Sequence, residues 1–243
     1  LTITADSSWI NSENRAFPVT IDPAIEKSGT SSITDTMIHE VYPDSNYNDS
    51  TGPMVGYPGT FEGFRLITLV KLNSLPTIPE KAIITNATIS MNCLGFQNTS
   101  SMRVGAYQVN NSWDSNATWN LFYSSTAISD DLLDYQNLTS TQTYDWNITK
   151  LAKKWYDGTA NNYGIAFDSI TYDFYTGTNP VRVMFSSSEY TSGATPVFTI
   201  VYRDSKGVED YYTYQTYSAG NAGTVRRDEC PGNAGSQNLQ SHR

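Results

Sequence analysis

The sequence has little of what most enzymes use for chemistry. Its 243 residues include only two histidines, His39 and His242, and only two cysteines, Cys93 and Cys230. A Ser-His-Asp triad would have to use His39, which lies within a strand pattern, and no Gly-x-Ser-x-Gly elbow accompanies it. The sequence also lacks a Walker-type phosphate loop and any zinc-ligand spacing. We therefore predict a protein that is not an enzyme.

Charge and long apolar runs are also scarce. Charged residues make up 16% of the chain, and 15 basic against 24 acidic side chains give a net charge of −9. The sequence shows no basic run or patch, so we expect no nucleic-acid partner. No stretch approaches the roughly 20 apolar residues of a membrane span, and we expect none. Whether Cys93 and Cys230 form a disulfide stays open at this point.

Aromatic and small polar residues fill the chain instead. Aromatic residues are 13% of the total, and tyrosine alone contributes 17. This composition is typical of a β-rich secreted or cell-surface protein, because a disordered chain would carry more charge and fewer aromatics. The chain begins with LTIT, without a methionine or a signal peptide. We therefore expect a part of a longer protein that is extracellular, secreted or associated with the cell wall.

The clearest local pattern lies in YDWNITKLAKKWYDGTANNYGIAF, from Tyr144 to Phe167. Thr149 stands where an N-cap is expected, and Gly158 stands where a helix would end in a left-handed residue. Between them, one apolar stripe at helical spacing consists of Leu151, Ala152 and Trp155. We predict one short helix over about residues 149–157, with a strand on each side.

The remaining segments indicate short strands. GFRLITLVKL, residues 63–72, has apolar side chains on both faces, which predicts a central strand that is covered on both sides. Residues 84–96 and 101–109 alternate between apolar and polar positions and predict a hairpin. Together these patterns predict an all-β fold, a jelly-roll β-sandwich of antiparallel strands with one short helix.

Six segments follow one another in a characteristic order over about residues 33–202. They are FRLITLVKLNSLP, ITNATISM, NSWDSNATWN, YDWNITKLAKKWYDGTANNYGIAF, FSSSEY and PVFTIVY. This order resembles the DNRLRE family of bacterial and archaeal surface proteins, a family related to carbohydrate-binding modules. Asn147 departs from the family, which usually has an aspartate before the helix.

The same resemblance divides the chain into four parts. Residues 1–26 are expected to be a flanking strand segment, and residues 33–203 the DNRLRE-like sandwich, with KSGTSS as a linker between them. Residues 204–224 resemble the linker that leads into the repeat region of large Gram-positive cell-wall proteins with Rhs/YD repeats. Residues 225–243 form a tail that does not continue the pattern. The resemblance implies that the rest of the parent chain is a partner of the sandwich.

Two sets of loop residues are candidate binding sites. Asp44, Asn46 and Asn48 offer side-chain oxygens at alternate positions, as the start of a calcium loop does, and predict a structural calcium ion. The alternative is an Asx-rich turn that hydrogen-bonds to itself. Aromatic candidates for contact with a sugar are the loop residues Tyr47, Tyr57, Tyr123, Tyr172, Phe174 and Tyr175. For TYDFYTG, the alternative is a strand with Tyr172 and Phe174 packed inward.

The resemblance implies a non-catalytic function. The first hypothesis is a module that binds a polysaccharide or a cell-surface glycan by aromatic stacking and hydrogen bonds. The second is a structural spacer or assembly module of a large Rhs/YD-repeat protein, without a small ligand. A polysaccharide-active enzyme comes third, because no carboxylate pair is singled out by an apolar environment.

Overall fold

The computed structural model describes residues 23–59, 64–170 and 179–203. The chain divides into two compact units, Pro23–Tyr202 and a second unit formed by Leu1–Asp22 and Arg203–Arg243. Apart from Arg203, the second unit lies outside the described residues. The architecture below is that of the first unit, together with the last residue of its final strand.

Eleven strands and two helices make up the described part of the chain. The strands are β1 (Ala24–Ser28), β2 (Ile33–His39), β3 (Met54–Tyr57), β4 (Leu66–Leu72), β5 (Ile83–Gln97), β6 (Met102–Val109), β7 (Ile128–Leu138), β8 (Thr143–Asn147), β9 (Ile165–Ser169), β10 (Val181–Phe185) and β11 (Val197–Arg203). The helices are α1 (Trp119–Phe122) and α2 (Thr149–Tyr156). Neither of these described helices has the length and apolar character needed to cross a membrane.

Strand β5 belongs to both layers of the fold. Its residues Thr88–Asn92 pair with β8, whereas the end of the strand pairs with β10 across a register irregularity. The smaller sheet contains β1, β11, β5 and β8, and the larger sheet contains β2, β4, β3, β10, β5, β9, β6 and β7. The pairings are antiparallel. The structure therefore confirms the predicted all-β sandwich of antiparallel strands.

The main core lies between the two sheets and is centred on Trp146. This side chain is fully buried, and its ring centroid lies 4.9 Å from that of Phe167 and 6.0 Å from that of Phe185. Its indole nitrogen donates to the carbonyl of Val104 at 3.0 Å, so burial does not leave this nitrogen unsatisfied. Cys93 is a buried free cysteine in this core, and Cys230 lies outside the described residues.

A second core covers the opposite, outer face of the larger sheet. Alternation along β4 turns Val70 and Leu72 into the main core and Ile67 and Leu69 into the second one. The structure thus confirms that this strand is covered on both sides. The cover is the connection between β6 and β7, residues 110–127, which we call the strap. The strap residues in this core are Trp113, Ala117, Trp119, Phe122 and Ala127.

Helix α2 forms where it was predicted, but its first turn is capped differently. Leu151, Ala152 and Trp155 are buried as expected, and Gly158 has a φ of 76° beyond the helix end. The prediction of Thr149 as the N-cap was wrong, because Ile148 occupies that position without a side-chain cap bond. The side-chain oxygen of Asn147 instead accepts from the backbone N–H of Thr149 at 3.0 Å.

Two other elements differ from the sequence-based organisation. Strand β1 pairs with β11 over its whole length, so residues 24–28 form part of the sandwich rather than the end of a flanking segment and a linker. Helix α1 lies in a region for which no helix was predicted. It is only 4 residues long, too short to be visible as a helical period, and Thr118 caps it by accepting from the backbone N–H of Leu121.

Candidate functional site

A pocket on the outer face of the larger sheet gathers several titratable side chains. Its volume is about 280 Å³, and it lies between the end of the strap, the start of β7 and the sheet. The side chains that matter for its chemistry are Arg65, Tyr107, Tyr123, Asp130 and Asp168. We call it the Arg65 pocket.

Strand alternation places Asp168 in this pocket. In β9, Ile165 and Phe167 belong to the main core, whereas Ala166 belongs to the second core, so Asp168 shares the outer face with Ala166. Arg65 immediately precedes β4, which pairs with β9. The local sequence IAFDS therefore presents a carboxyl group at a position where an apolar residue would otherwise lie.

Gly105 makes room for the tyrosine that lines the pocket. It pairs with Asp168 on the neighbouring strand. A Cβ atom at Gly105 would lie 2.8 Å from the ring and 2.9 Å from the hydroxyl of Tyr107, and 2.7 Å from Leu132. A larger residue here would therefore force the Tyr107 side chain to move.

The guanidinium group of Arg65 is the centre of the site. Its Nη1 atom lies 3.5 Å from Oδ2 of Asp168, and its Nε atom lies 3.8 Å from Oε2 of Glu40. The backbone N–H of Arg65 also donates to Glu40 Oε2 at 2.9 Å. Two carboxyl groups thus share one cation, each at a distance longer than an ideal charged hydrogen bond.

Arg65 also connects the sheet to the strap through aromatic rings. The rings of Trp119 and Tyr123 stack at 4.2 Å, with an angle of 17° between their planes. The Cζ atom of Arg65 lies 4.7 Å from the centroid of Tyr123 and 5.4 Å from that of Trp119, within the range of a cation–π contact. Its Nη2 atom donates to the hydroxyl of Tyr123.

Burial changes the proton affinity of the carboxyl groups in the pocket. Burial raises the pKa of Asp168 to about 7, although Arg65 and the backbone N–H of Ser169 oppose the shift. Burial also raises the pKa of Glu40, again against the influence of Arg65. A carboxyl with a pKa near neutrality can both hold and release a proton at physiological pH, which is the property of a general acid or base.

His39 does not contribute to the Arg65 pocket. It precedes Glu40 on the chain and points to the other side of β2. Its Nδ1 atom accepts from the backbone N–H groups of Val41 and Tyr42 at 3.2 and 3.3 Å. Burial, and then the charge of Arg182, lower the pKa of His39 to about 4, so the ring is neutral at physiological pH and orders the loop after β2.

A second buried carboxyl lies on the other side of the larger sheet. Asp35 is 3% exposed, and its Oδ2 atom accepts from the backbone N–H of Ser188 at 2.8 Å. Burial raises the pKa of Asp35 to about 6, while Ser188 lowers it and the charge of Glu189 raises it further. Because both Asp35 and Asp168 lie within strands, neither belongs to a loop or a motif that would have singled it out.

The aromatic residues that were predicted to contact a sugar differ in their environments. Tyr57 lies in β3 and is only 2% exposed, so its ring is packed inside the protein and is not available to stack on a ligand. Tyr172, Phe174 and Tyr175 lie outside the described residues. Tyr123, another of these candidates, contacts a charged group, Arg65, together with Trp119, which was not among the candidates.

The loop predicted to bind calcium is in contact with the strap. The carboxylate of Asp44 accepts from Asn120 Nδ2, and Asn46 Nδ2 donates to the carbonyl of Ser115, both at 2.9 Å. Asn46 Oδ1 accepts from the backbone N–H of Asn48 at 2.8 Å, which is an Asx turn. Over residues 23–59, 64–170 and 179–203, no group of three or more His, Cys, Asp or Glu side chains is arranged to hold a metal ion. Calcium binding stays a prediction.

Comparison with known proteins gives distant relatives of one kind. No family model matches the chain. The chain is 25% identical to the tRNA3(Ser)-specific nuclease WapA of Bacillus spizizenii, over 91% of this chain. It is 24% identical to the tRNA nuclease WapA of Bacillus subtilis, also over 91% of this chain. In both cases it spans only 11% of the length of the relative.

These similarities overturn three predictions. The relatives are named as nucleases of tRNA, which contradicts the predicted non-catalytic function, whether as a glycan-binding module or as a spacer. They likewise contradict the predictions that the chain belongs to no enzyme and has no nucleic-acid partner. These predictions failed because they relied on charge and histidine content. Both were counted over this chain alone, which aligns with 11% of the length of the relatives.

Proposed function

We propose that this chain is one segment of a large nuclease that acts on tRNA, of the kind represented by the WapA proteins. The supporting observation is that 91% of the chain aligns with relatives that are all named as tRNA nucleases. Because the chain spans 11% of their length, the activity is proposed for the whole parent protein.

The Arg65 pocket is where the described residues would contribute to this activity. A cation and a carboxyl that holds a proton near neutrality are the groups that phosphate binding and proton transfer require. In the described conformation, the Arg65 guanidinium is engaged by Asp168, Glu40 and Tyr123. An RNA phosphate would therefore have to replace Asp168 as the partner of Arg65, and protonation of Asp168 would favour that exchange.

We further propose that the sandwich is of the DNRLRE type and that the parent protein is secreted or associated with the cell wall. The support is the order of six sequence motifs together with the antiparallel sandwich. Cell fractionation with an antibody against the chain tests the location. Signal confined to the cytoplasmic fraction would contradict it.

The nuclease proposal is tested by incubating the purified parent protein and the isolated 243-residue chain with total tRNA and separating the products on a denaturing gel. We expect cleavage by the parent protein. A parent protein that leaves tRNA intact under conditions in which it is folded would overturn the proposal.

Two variants of the parent protein then locate the chemistry. Asp168→Asn removes the titrating carboxyl of the Arg65 pocket, and Asp131→Asn removes an exposed carboxyl of β7, whose first residues line the pocket, as a matched control. Selective loss of cleavage in the first variant would support a role for the pocket. Equal cleavage in both variants would place the cleaving groups elsewhere in the parent.

A further inference from the structure

The strap is a surface segment whose two ends meet. The backbone N–H of Asn110 donates to the carbonyl of Ala127 at 2.8 Å, and its side-chain amide donates to the carbonyl of Thr126 at 3.0 Å. The 16 residues between these ends extend over the outer face of the larger sheet. A loop with joined ends can lift away without changing the strands on either side, because its closure does not depend on its contacts with the sheet.

Two cations on the sheet hold the strap through its aromatic residues. At one end, Lys71 Nζ lies 4.6 Å from the centroid of Trp113 and donates to the carbonyl of the same residue. At the other end, Arg65 contacts Tyr123 and Trp119 as described above. The apolar contacts beneath the strap are therefore supplemented by charge at both ends.

The Arg65 end carries more negative than positive groups. Three carboxyl groups lie near one guanidinium group. Glu40 and Asp168 form ion pairs with Arg65, and Asp130 lines the same pocket. The residue Asp168 is 9% exposed with the strap in place, and its only cationic contact within the described residues is the 3.5 Å pair with Arg65. The titratable groups that face Asp168 are Glu40, Arg65, Tyr107, Tyr123 and Asp130. One additional proton would balance part of the excess negative charge.

We propose that the strap is a hinged flap that closes over the outer face of the larger sheet with the uptake of one proton by Asp168. Closure removes this carboxyl from water beside other acidic groups, and the neutral form loses less solvation than the charged form does. Lifting the strap returns Asp168 to water and releases the proton. The strap therefore opens more readily as the pH rises.

The pKa of Asp168, raised by burial to about 7, agrees with this direction. The pKa of an aspartate in water is near its ordinary value of 3.8, so closure takes up a proton only between these two pH values. Other titrating groups act elsewhere or at other pH values. His39, with a pKa lowered to about 4 by burial, lies on the other side of β2, and Asp35 is bound to Ser188 rather than to the strap.

Hydrogen exchange on the 243-residue chain measures the opening directly. The backbone N–H of Asn120 donates to the carbonyl of Pro43 at 2.9 Å, a bond that breaks when the strap lifts. After correction for intrinsic exchange, we expect its opening constant to rise by up to tenfold per pH unit from about pH 5 to about pH 7, and then to level off. The N–H of Ile148, bonded to Ala87 in the main core, is the internal reference and should not follow this profile.

Two variants decide whether Asp168 is the proton acceptor. Asp168→Asn keeps the shape of the side chain and should abolish the pH dependence of opening, whereas Asp131→Asn should leave it unchanged. Glu40→Gln removes one competing charge while retaining an acceptor for the backbone N–H of Arg65. It should move the midpoint of the pH profile to a lower value, and it provides the test if Asp168→Asn does not fold. A flat profile in the unchanged chain, an unchanged slope in Asp168→Asn, or an unmoved midpoint in Glu40→Gln would overturn the proposal.

Discussion

The two cores of this protein cover opposite faces of the same sheet and are closed in different ways. The main core is closed by apolar side chains from both sheets, and the indole nitrogen of Trp146 at its centre has a backbone partner. The second core is closed by a strap that depends in addition on two cations and on a polar loop. The main core should therefore respond to the loss of volume, and the second core to pH and charge.

Neighbouring residues of one strand show how local this difference is. Phe167 and Asp168 follow each other in β9, and alternation sends the first into the main core and the second into the Arg65 pocket. A single strand thus supplies an aromatic anchor to one side and a titrating carboxyl to the other.

The largest expected effect is on the main core. Trp146→Ala should lower the free energy of unfolding by about 3–5 kcal/mol, because it removes a fully buried ring and leaves a cavity between Phe167 and Phe185. Chemical denaturation measures the change. Leu121→Ala is the control, since Leu121 is 78% exposed and its loss should cost less than about 0.5 kcal/mol. Equal effects of the two substitutions would contradict the assignment of the main core.

The next effect concerns the cation that holds the strap. Arg65→Gln should lower the free energy of unfolding by about 1–3 kcal/mol, because it leaves Asp168 without its cation and removes two ring contacts. Arg65→Lys should restore only part of this loss, since an ammonium group lacks the planar fork of the guanidinium. Denaturation curves of the two variants make the comparison. Full rescue by lysine would show that charge alone matters.

The pH dependence of stability separates the two cores further. The folded pKa of Asp168 is raised to about 7, so its contribution to stability is complete below the unfolded value of 3.8 and is lost as the pH rises through about 7. Asp168→Asn should therefore reduce the loss of stability between about pH 5 and about pH 8, by on the order of 2 kcal/mol. Thermal unfolding at several pH values measures it. Parallel profiles for the variant and the unchanged chain would refute this expectation.

The same principle gives the opposite sign for His39. Its folded pKa is lowered to about 4, so its contribution to stability is present above the ordinary, unfolded value of 6.5 and is lost as the pH falls through about 4.

The smallest effect concerns the loop that contacts the strap. Asp44→Ala should lower the free energy of unfolding by about 1 kcal/mol, because Asn120 loses its acceptor, whereas Asp44→Asn should retain that hydrogen bond. Thermal unfolding with and without a calcium chelator distinguishes the loop contact from a calcium site. A chelator-dependent melting temperature that Asp44→Asn abolishes would instead support the predicted calcium ion.

The fold was largely predictable because its signals are local. Apolar side chains on both faces of GFRLITLVKL predicted a strand covered on both sides, and the stripe of Leu151, Ala152 and Trp155 predicted α2. The Arg65 pocket was not predictable in this way. Arg65 and Asp168 are distant in the sequence, and only the pairing of β4 with β9 brings them together.

The partner was predicted wrongly for a different reason. Net charge and histidine count describe the segment in which they are counted, and electrostatic attraction to RNA depends on the surface of the whole protein. The curated relatives extend far beyond the part that this chain matches. The composition of such a segment cannot exclude a nucleic-acid partner of its parent.

The sequence by itself determined most of the strands, the main helix and the class of fold, because hydrophobic alternation and turn residues act over a few neighbouring positions. The tertiary structure alone decided that a strap covers the outer face, that Arg65 lies between two carboxyl groups and two aromatic rings, and that Asp168 holds its proton near neutral pH. These properties depend on burial and on contacts between distant residues, and neither is encoded in any short stretch of the chain.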